Sequence, residues 1–125
     1  MTSKTTFLTA VLCLLPATVL LSDQQSDGLA DEKADTISKI MRHAMTKGLC
    51  RKAVRGDASM DEKKKLLSLF RDLESMKPPR GSEESWKKLT GALTRSANDL
   101  VAGKDARDAL KKAANCTACH KHHRP

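Results

Sequence analysis

Tyrosine is absent from this chain of 125 residues, and Phe7, Phe70 and Trp86 are its only aromatic side chains. A nucleic-acid surface built on base stacking is thereby excluded, and no nucleic-acid recognition motif occurs. No segment shows the sustained apolar alternation or the β-branched enrichment of strands, so a sheet is not expected. The length allows one domain with one modest core, at 39% hydrophobic and 30% charged residues, and excludes a large multi-domain enzyme. Neither a Ser/His/Asp arrangement, nor paired acid/base carboxylates, nor a phosphate-cradling glycine loop can be picked out, and an enzyme is not the expectation.

What is present begins with an export pattern. Lys4 gives a positive start, and Phe7 to Leu21 is a nearly unbroken apolar run of about fifteen residues followed by small and polar ones. A confident membrane span needs about twenty apolar residues, so this run predicts a signal peptide over 1–30 rather than an uncleaved anchor. Gly28-Leu29-Ala30 offers a small-x-small cleavage pattern, with Ser22 as the other end of the range, and the mature domain is 31–125. Cys13 follows Val11-Leu12 rather than small residues, which argues against a lipoprotein site. Losing the leader raises the formal charge from +8 to +9, because Lys4, Asp23 and Asp27 leave with it.

The mature region carries four helical patterns. Ile37, Ile40, Met41, Ala44 and Gly48 recur at helical spacing from about Asp31 to Arg55, where Gly56-Asp57 closes the helix. Ser59-Met60-Asp61-Glu62 forms a capping box ahead of Leu66, Leu69, Phe70, Leu73 and Met76, and Lys77-Pro78-Pro79-Arg80-Gly81 ends that second helix. Ser82 caps the third, whose stripe is Trp86, Leu89, Leu93, Ala97 and Leu100, and Gly103 stops it. The fourth runs from about Lys104, with a small-residue face of Ala106, Ala109, Leu110, Ala113 and Ala114. Four amphipathic helices with short connections predict an all-α fold, an antiparallel four-helix bundle.

The fourth helix ends in Cys116-Thr117-Ala118-Cys119-His120. A Cys-x-x-Cys-His run reads as c-type haem attachment: two thiols three residues apart form thioether bonds to one porphyrin, and the adjacent imidazole meets the iron. On a helix Cys116 and His120 share a face with Cys119 beside them. A large planar cofactor would also supply apolar mass that the two mature rings do not.

A C-terminal motif of this kind on the last helix of an exported helical bundle resembles the class II c-type cytochromes, the cytochrome c-prime family and its low-spin relatives. The likeness covers the mature chain in helix number, helix length and motif placement, while only the haem motif is specific in sequence. Class I c-type cytochromes carry the motif near the N-terminus with a methionine ligand much later, whereas here five residues follow His120 and none is Met. The resemblance implies one covalent haem c on Cys116 and Cys119, with His120 as the proximal iron ligand. In the low-spin relatives a methionine of the first helix is the sixth ligand, and Met41 matches that position best. Met45 and His43 lie on the same helix as substitutes, His43 nearer to solvent. A thioether ligand raises the reduction potential and suits electron transfer. The implied function is electron transfer by an exported, for instance periplasmic, monohaem cytochrome. An open sixth position, as in high-spin members, would instead imply binding of small gases such as NO or CO. Family members often pair through their first two helices, which allows a homodimer, although no stripe here is apolar enough to require one.

Other readings attach to the remaining residues. His122 and His123, with Cys116, Cys119 and His120, form a Cys/His-rich tail, but typical zinc sites take their second ligand pair from a dozen or more residues away. A solvated tail within reach of a haem propionate is the expectation for both histidines, and a zinc-binding or structural helical bundle is the outside alternative. Cys50 is read as a small core hydrophobe. Of the basic runs, Lys63-Lys64-Lys65 and Lys87-Lys88 read as solvated faces, while Lys111-Lys112 and Lys121 to Arg124 flank the motif and would either pair with the haem propionates or steer an acidic redox partner.

Overall fold

The computed structural model describes residues 36–125. The expected signal peptide over 1–30, and the first residues of the expected first helix, lie outside the described residues. All regular structure among those residues is helical.

Thr36 caps the first element, its side-chain oxygen accepting from the Lys39 N–H at 3.2 Å. Helix α1 (Ile37–Met41) passes directly into a π turn (Arg42–Thr46), and α2 (Leu49–Arg55) follows Gly48. The single helix expected up to Arg55 is therefore interrupted. The Lys47 N–H reaches back five residues to the Arg42 carbonyl at 2.9 Å, and Gly48 sits at φ +78°, a left-handed geometry that breaks the helical path. Helix α2 ends at Gly56 as expected, with the Asp57 N–H on the Lys52 carbonyl at 3.0 Å.

Helix α3 (Met60–Ser75) starts from the full capping box: Ser59 Oγ accepts from the Glu62 N–H at 3.2 Å, and Glu62 Oε2 accepts from the Ser59 N–H at 2.8 Å. The Lys52 ammonium, with that backbone N–H, holds the Glu62 carboxyl below the usual carboxylate range. Helix α4 (Glu83–Val101) begins at Ser82, whose Oγ accepts from the Ser85 N–H at 3.2 Å, and stops just before Gly103.

The core lies along the α3–α4 contact. Leu66, Leu69, Phe70 and Leu73 face Trp86, Leu93, Ala97 and Leu100, with Ile40 and Ala44 closing one side and Cys50, Ala53, Ala106 and Leu110 the other elements' share. Cys50 is buried in that cluster, in agreement with its reading as a core hydrophobe. Thr94 ties the pair by donating its hydroxyl to the Phe70 carbonyl at 3.2 Å. Met60 is the one large apolar side chain exposed among the described residues, and no described helix is long and apolar enough to cross a membrane.

The expected fourth helix is two. Helix α5 (Arg107–Ala113) starts later than Lys104, and α6 (Cys116–His123) is separated from it by Ala114 and Asn115. Asn115 causes the break, because its Oδ1 accepts from the Ala118 N–H at 3.1 Å and so caps a new helix in place of continuing the old one. Of the anticipated small-residue face, Ala109 is exposed, whereas Ala113 and Ala114 turn inward.

Candidate functional site

A cavity of about 500 Å³ opens beside α6, within the range of roughly 300–1,000 Å³ usual for cofactor and small-ligand sites. Cys116, Cys119 and His120 border it from α6, and Met41 and Met45 border it from the first helical segment. The break at Asn115 starts a helix at Cys116, so Cys116 and His120, four residues apart, lie one turn apart on the same side. His43 is half-buried and is not among the bordering side chains.

The rest of the wall is mainly apolar. Leu73, Trp86, Leu93 and Ala113 line it, and two exposed arginines, Arg42 and Arg124, border it. The small side chains of Ala113 and Ala114 leave room there, as the sequence implied. Trp86 is 3% exposed, and its Nε1 is the one buried side-chain nitrogen or oxygen without a hydrogen-bond partner among the described residues. A buried N–H left unpaired costs roughly 1–3 kcal/mol, and this one is enclosed by the protein itself.

The thiols differ in their surroundings. Burial pushes the Cys119 thiol up, with the neighbouring Cys116 adding to the effect. Cys50, outside the cavity, is raised to about 11 by burial first and by Cys116 second. Cys50, Cys116 and Cys119 are all free thiols.

The tail departs from expectation at one residue. His122 is exposed, as anticipated, but His123 is 2% exposed and belongs to the interior. Its Nδ1 lies 2.7 Å from the Arg80 carbonyl, its Nε2 lies 3.1 Å from Ser85 Oγ, and its ring meets Trp86 edge-on with centroids 5.4 Å apart. A solvated tail is therefore wrong for His123, because partners on the α3–α4 connection and in the first turn of α4 satisfy its polar atoms. Nothing in the apolar periodicity marks it. The zinc alternative also loses its geometry: among the described residues, no three His, Cys, Asp or Glu side chains come together as a metal site.

The side chains bordering the cavity fit a haem held through its edge and its iron: two thiols and an imidazole on one helix, methionine thioethers on another segment, an apolar wall and two arginines at the margin. No family model matches the chain, and neither a curated protein nor a solved structure matches it.

Proposed function

We propose that this chain is an exported monohaem c-type cytochrome of the class II kind, an electron carrier built on an antiparallel four-helix bundle. The observation that carries the reading is the one cavity bordered by Cys116, Cys119 and His120 on one helix and by Met41 and Met45 on another segment. In the bundle reading, the interrupted α1–α2 segment, α3, α4 and the broken α5–α6 segment are its four members. The group held there supplies a one-electron iron couple.

Each residue of the chain then has a task. Cys116 and Cys119 would hold the porphyrin edge through thioether bonds, spending both thiols of the motif while Cys50 stays buried and free. His120, on the same helix, would be one iron ligand. Met41 would be the other, a soft thioether of the kind that favours reduced iron and raises the potential. Leu73, Leu93 and Trp86 keep water from the ring, and low exposure limits reorganisation when the charge on iron changes. Arg42 and Arg124 border the cavity and would offer charged partners to the propionate carboxylates. Lys111, Lys112 and Lys121 are exposed beside the motif and steer an acidic redox partner toward this edge.

The test is to express the full chain with haem-maturation machinery and record oxidised and reduced visible spectra with a pyridine haemochrome assay. The expected result is one covalent haem c with sharp low-spin bands that carbon monoxide does not shift. Broad high-spin bands that do shift would move the function to gas binding, and a chain without haem would overturn the reading.

A further inference from the structure

His123 is a buried imidazole that the electron-carrier reading leaves without a task. It lies three residues beyond His120 on the same short helix. Its contacts are with the α3–α4 connection and the start of α4: the Arg80 carbonyl at 2.7 Å, Ser85 Oγ at 3.1 Å and the Trp86 ring. A carbonyl only accepts, so Nδ1 donates to Arg80, and Nε2 shares a hydrogen bond with the Ser85 hydroxyl, which can serve as donor or acceptor. Both ring nitrogens are thus spent on fixing orientation. The approach is also close in the backbone: a Cβ on Gly81 would stand 2.8 Å from the His122 carbonyl oxygen and 2.9 Å from His123 Nδ1. Along α6 the other chemistry-bearing side chains are less enclosed, since Cys116 and His120 are exposed and Cys119 is half-buried. An eight-residue helix has little stability of its own, so its placement depends on such a tie.

We propose that His123 is the positioning residue of this site: clasped by Arg80, Ser85 and Trp86, it holds the α6 turn that presents His120 and the two thiols to the cavity. The proposal rests on the haem reading for its consequence at the iron, but the clasp itself belongs to the polypeptide. His123 also borders the cavity; with a haem bound, loosening the clasp would let the His120 imidazole tilt and weaken its hold on the iron, an effect carried along the helical turn between the two histidines.

The experiment compares the full-length wild type with His123→Asn, His123→Leu and Ser85→Ala. Asn retains a side-chain N–H near the place of Nδ1, and Leu fills space without either hydrogen bond. In the first measurement, amide hydrogen exchange of His120 to Arg124 is expected to quicken roughly tenfold in the Leu variant and much less in Asn, with α3 and α4 amides unchanged. In the second, the haem-loaded Leu variant is expected to show mixed high-spin bands and a shifted reduction potential, with Asn restoring the wild-type spectrum. Unchanged α6 exchange and spectrum in the Leu variant, or an Asn variant as impaired as Leu, would overturn the proposal. Should Leu also unprotect α3 and α4, Ser85→Ala decides: faster exchange confined to α6 supports the clasp, and no change overturns it. A wild type without haem refutes the electron-carrier reading alone, because the exchange measurement still decides the clasp.

Discussion

Replacing Gly81 by Ala tests whether α6 is seated as described, and Gly48 provides an internal control. Both glycines adopt the left-handed region, at φ +79° and +78°. An alanine there costs roughly 1–2 kcal/mol in backbone energy at either site, partly offset by the lost freedom of the unfolded chain, and these contributions cancel between the two variants. The surroundings do not cancel. A Cβ at Gly48 meets nothing within 4 Å, whereas one at Gly81 meets the His122 carbonyl oxygen at 2.8 Å and His123 Nδ1 and Cε1 at 2.9 and 3.0 Å. One of those atoms is backbone and the others belong to a ring held from both sides, so the helix must move and the two His123 hydrogen bonds are lost with it. At about 0.5–1.5 kcal/mol per hydrogen bond, Gly81→Ala is expected to cost about 1–3 kcal/mol more than Gly48→Ala. Urea unfolding reads the difference through Trp86, the only tryptophan and a direct neighbour of His123. Equal destabilisation by the two substitutions would show that the close approach of α6 to Gly81 is not present in solution.

Other expectations follow from single features. Met41→Ala in the haem-loaded protein should replace low-spin bands with high-spin ones and admit carbon monoxide, while Met45→Ala leaves the visible spectrum unaltered; the reverse pattern would hand the ligand role to Met45. The Cys50 thiol, raised to about 11 against 9.0 for an ordinary thiol, binds its proton more tightly in the folded state. Its contribution is therefore complete below pH 9 and is lost as pH rises from 9 to 11, by roughly 2–3 kcal/mol, and denaturation curves of Cys50→Ala should lack that decline. Ser59→Ala removes one half of the capping box and should lower unfolding stability by about 1 kcal/mol with an unchanged m-value in urea. Electron exchange with an acidic partner should slow as salt is raised, and less steeply after Lys111 and Lys112 are changed to Gln, as stopped-flow mixing would show.

The sequence is most readable where a local rule decides the structure. Ser59 with Glu62, the Pro78-Pro79 pair, Ser82 and Gly56 act within a turn of themselves, and the helices begin or end at them. Gly48 was legible as a member of an apolar stripe, yet its left-handed backbone and the preceding π turn divide what periodicity alone joins, because a five-residue hydrogen bond barely disturbs the spacing of apolar side chains. Asn115 carries a local signal that apolar periodicity does not contain: one residue ahead of the Cys-x-x-Cys-His run it caps a helix, which explains why the motif rides on its own helix. The cavity-lining role of Met41 beside the motif accords with its place on the stripe. His123 was not legible, since its partners Arg80 and Ser85 are 43 and 38 residues away and a His-His-Arg-Pro ending has the composition of a solvated tail.

The division at Asn115 gives the C-terminal helix a separate thermodynamic identity. Helices α3 and α4 hold one another through interlocked aliphatic side chains, which can part only at the cost of most of the core. Helix α6 is held at its far end by the two His123 hydrogen bonds and the Trp86 ring, with Cys119 against the core, and water can replace the hydrogen bonds one for one. It is accordingly a segment expected to open by subglobal excursions in which the rest of the chain keeps its packing. Such an excursion would uncover Cys119, Cys116 being exposed already. Thiol chemistry on this motif would then need only the release of eight residues, and redocking would return whatever they carry to a preformed apolar wall.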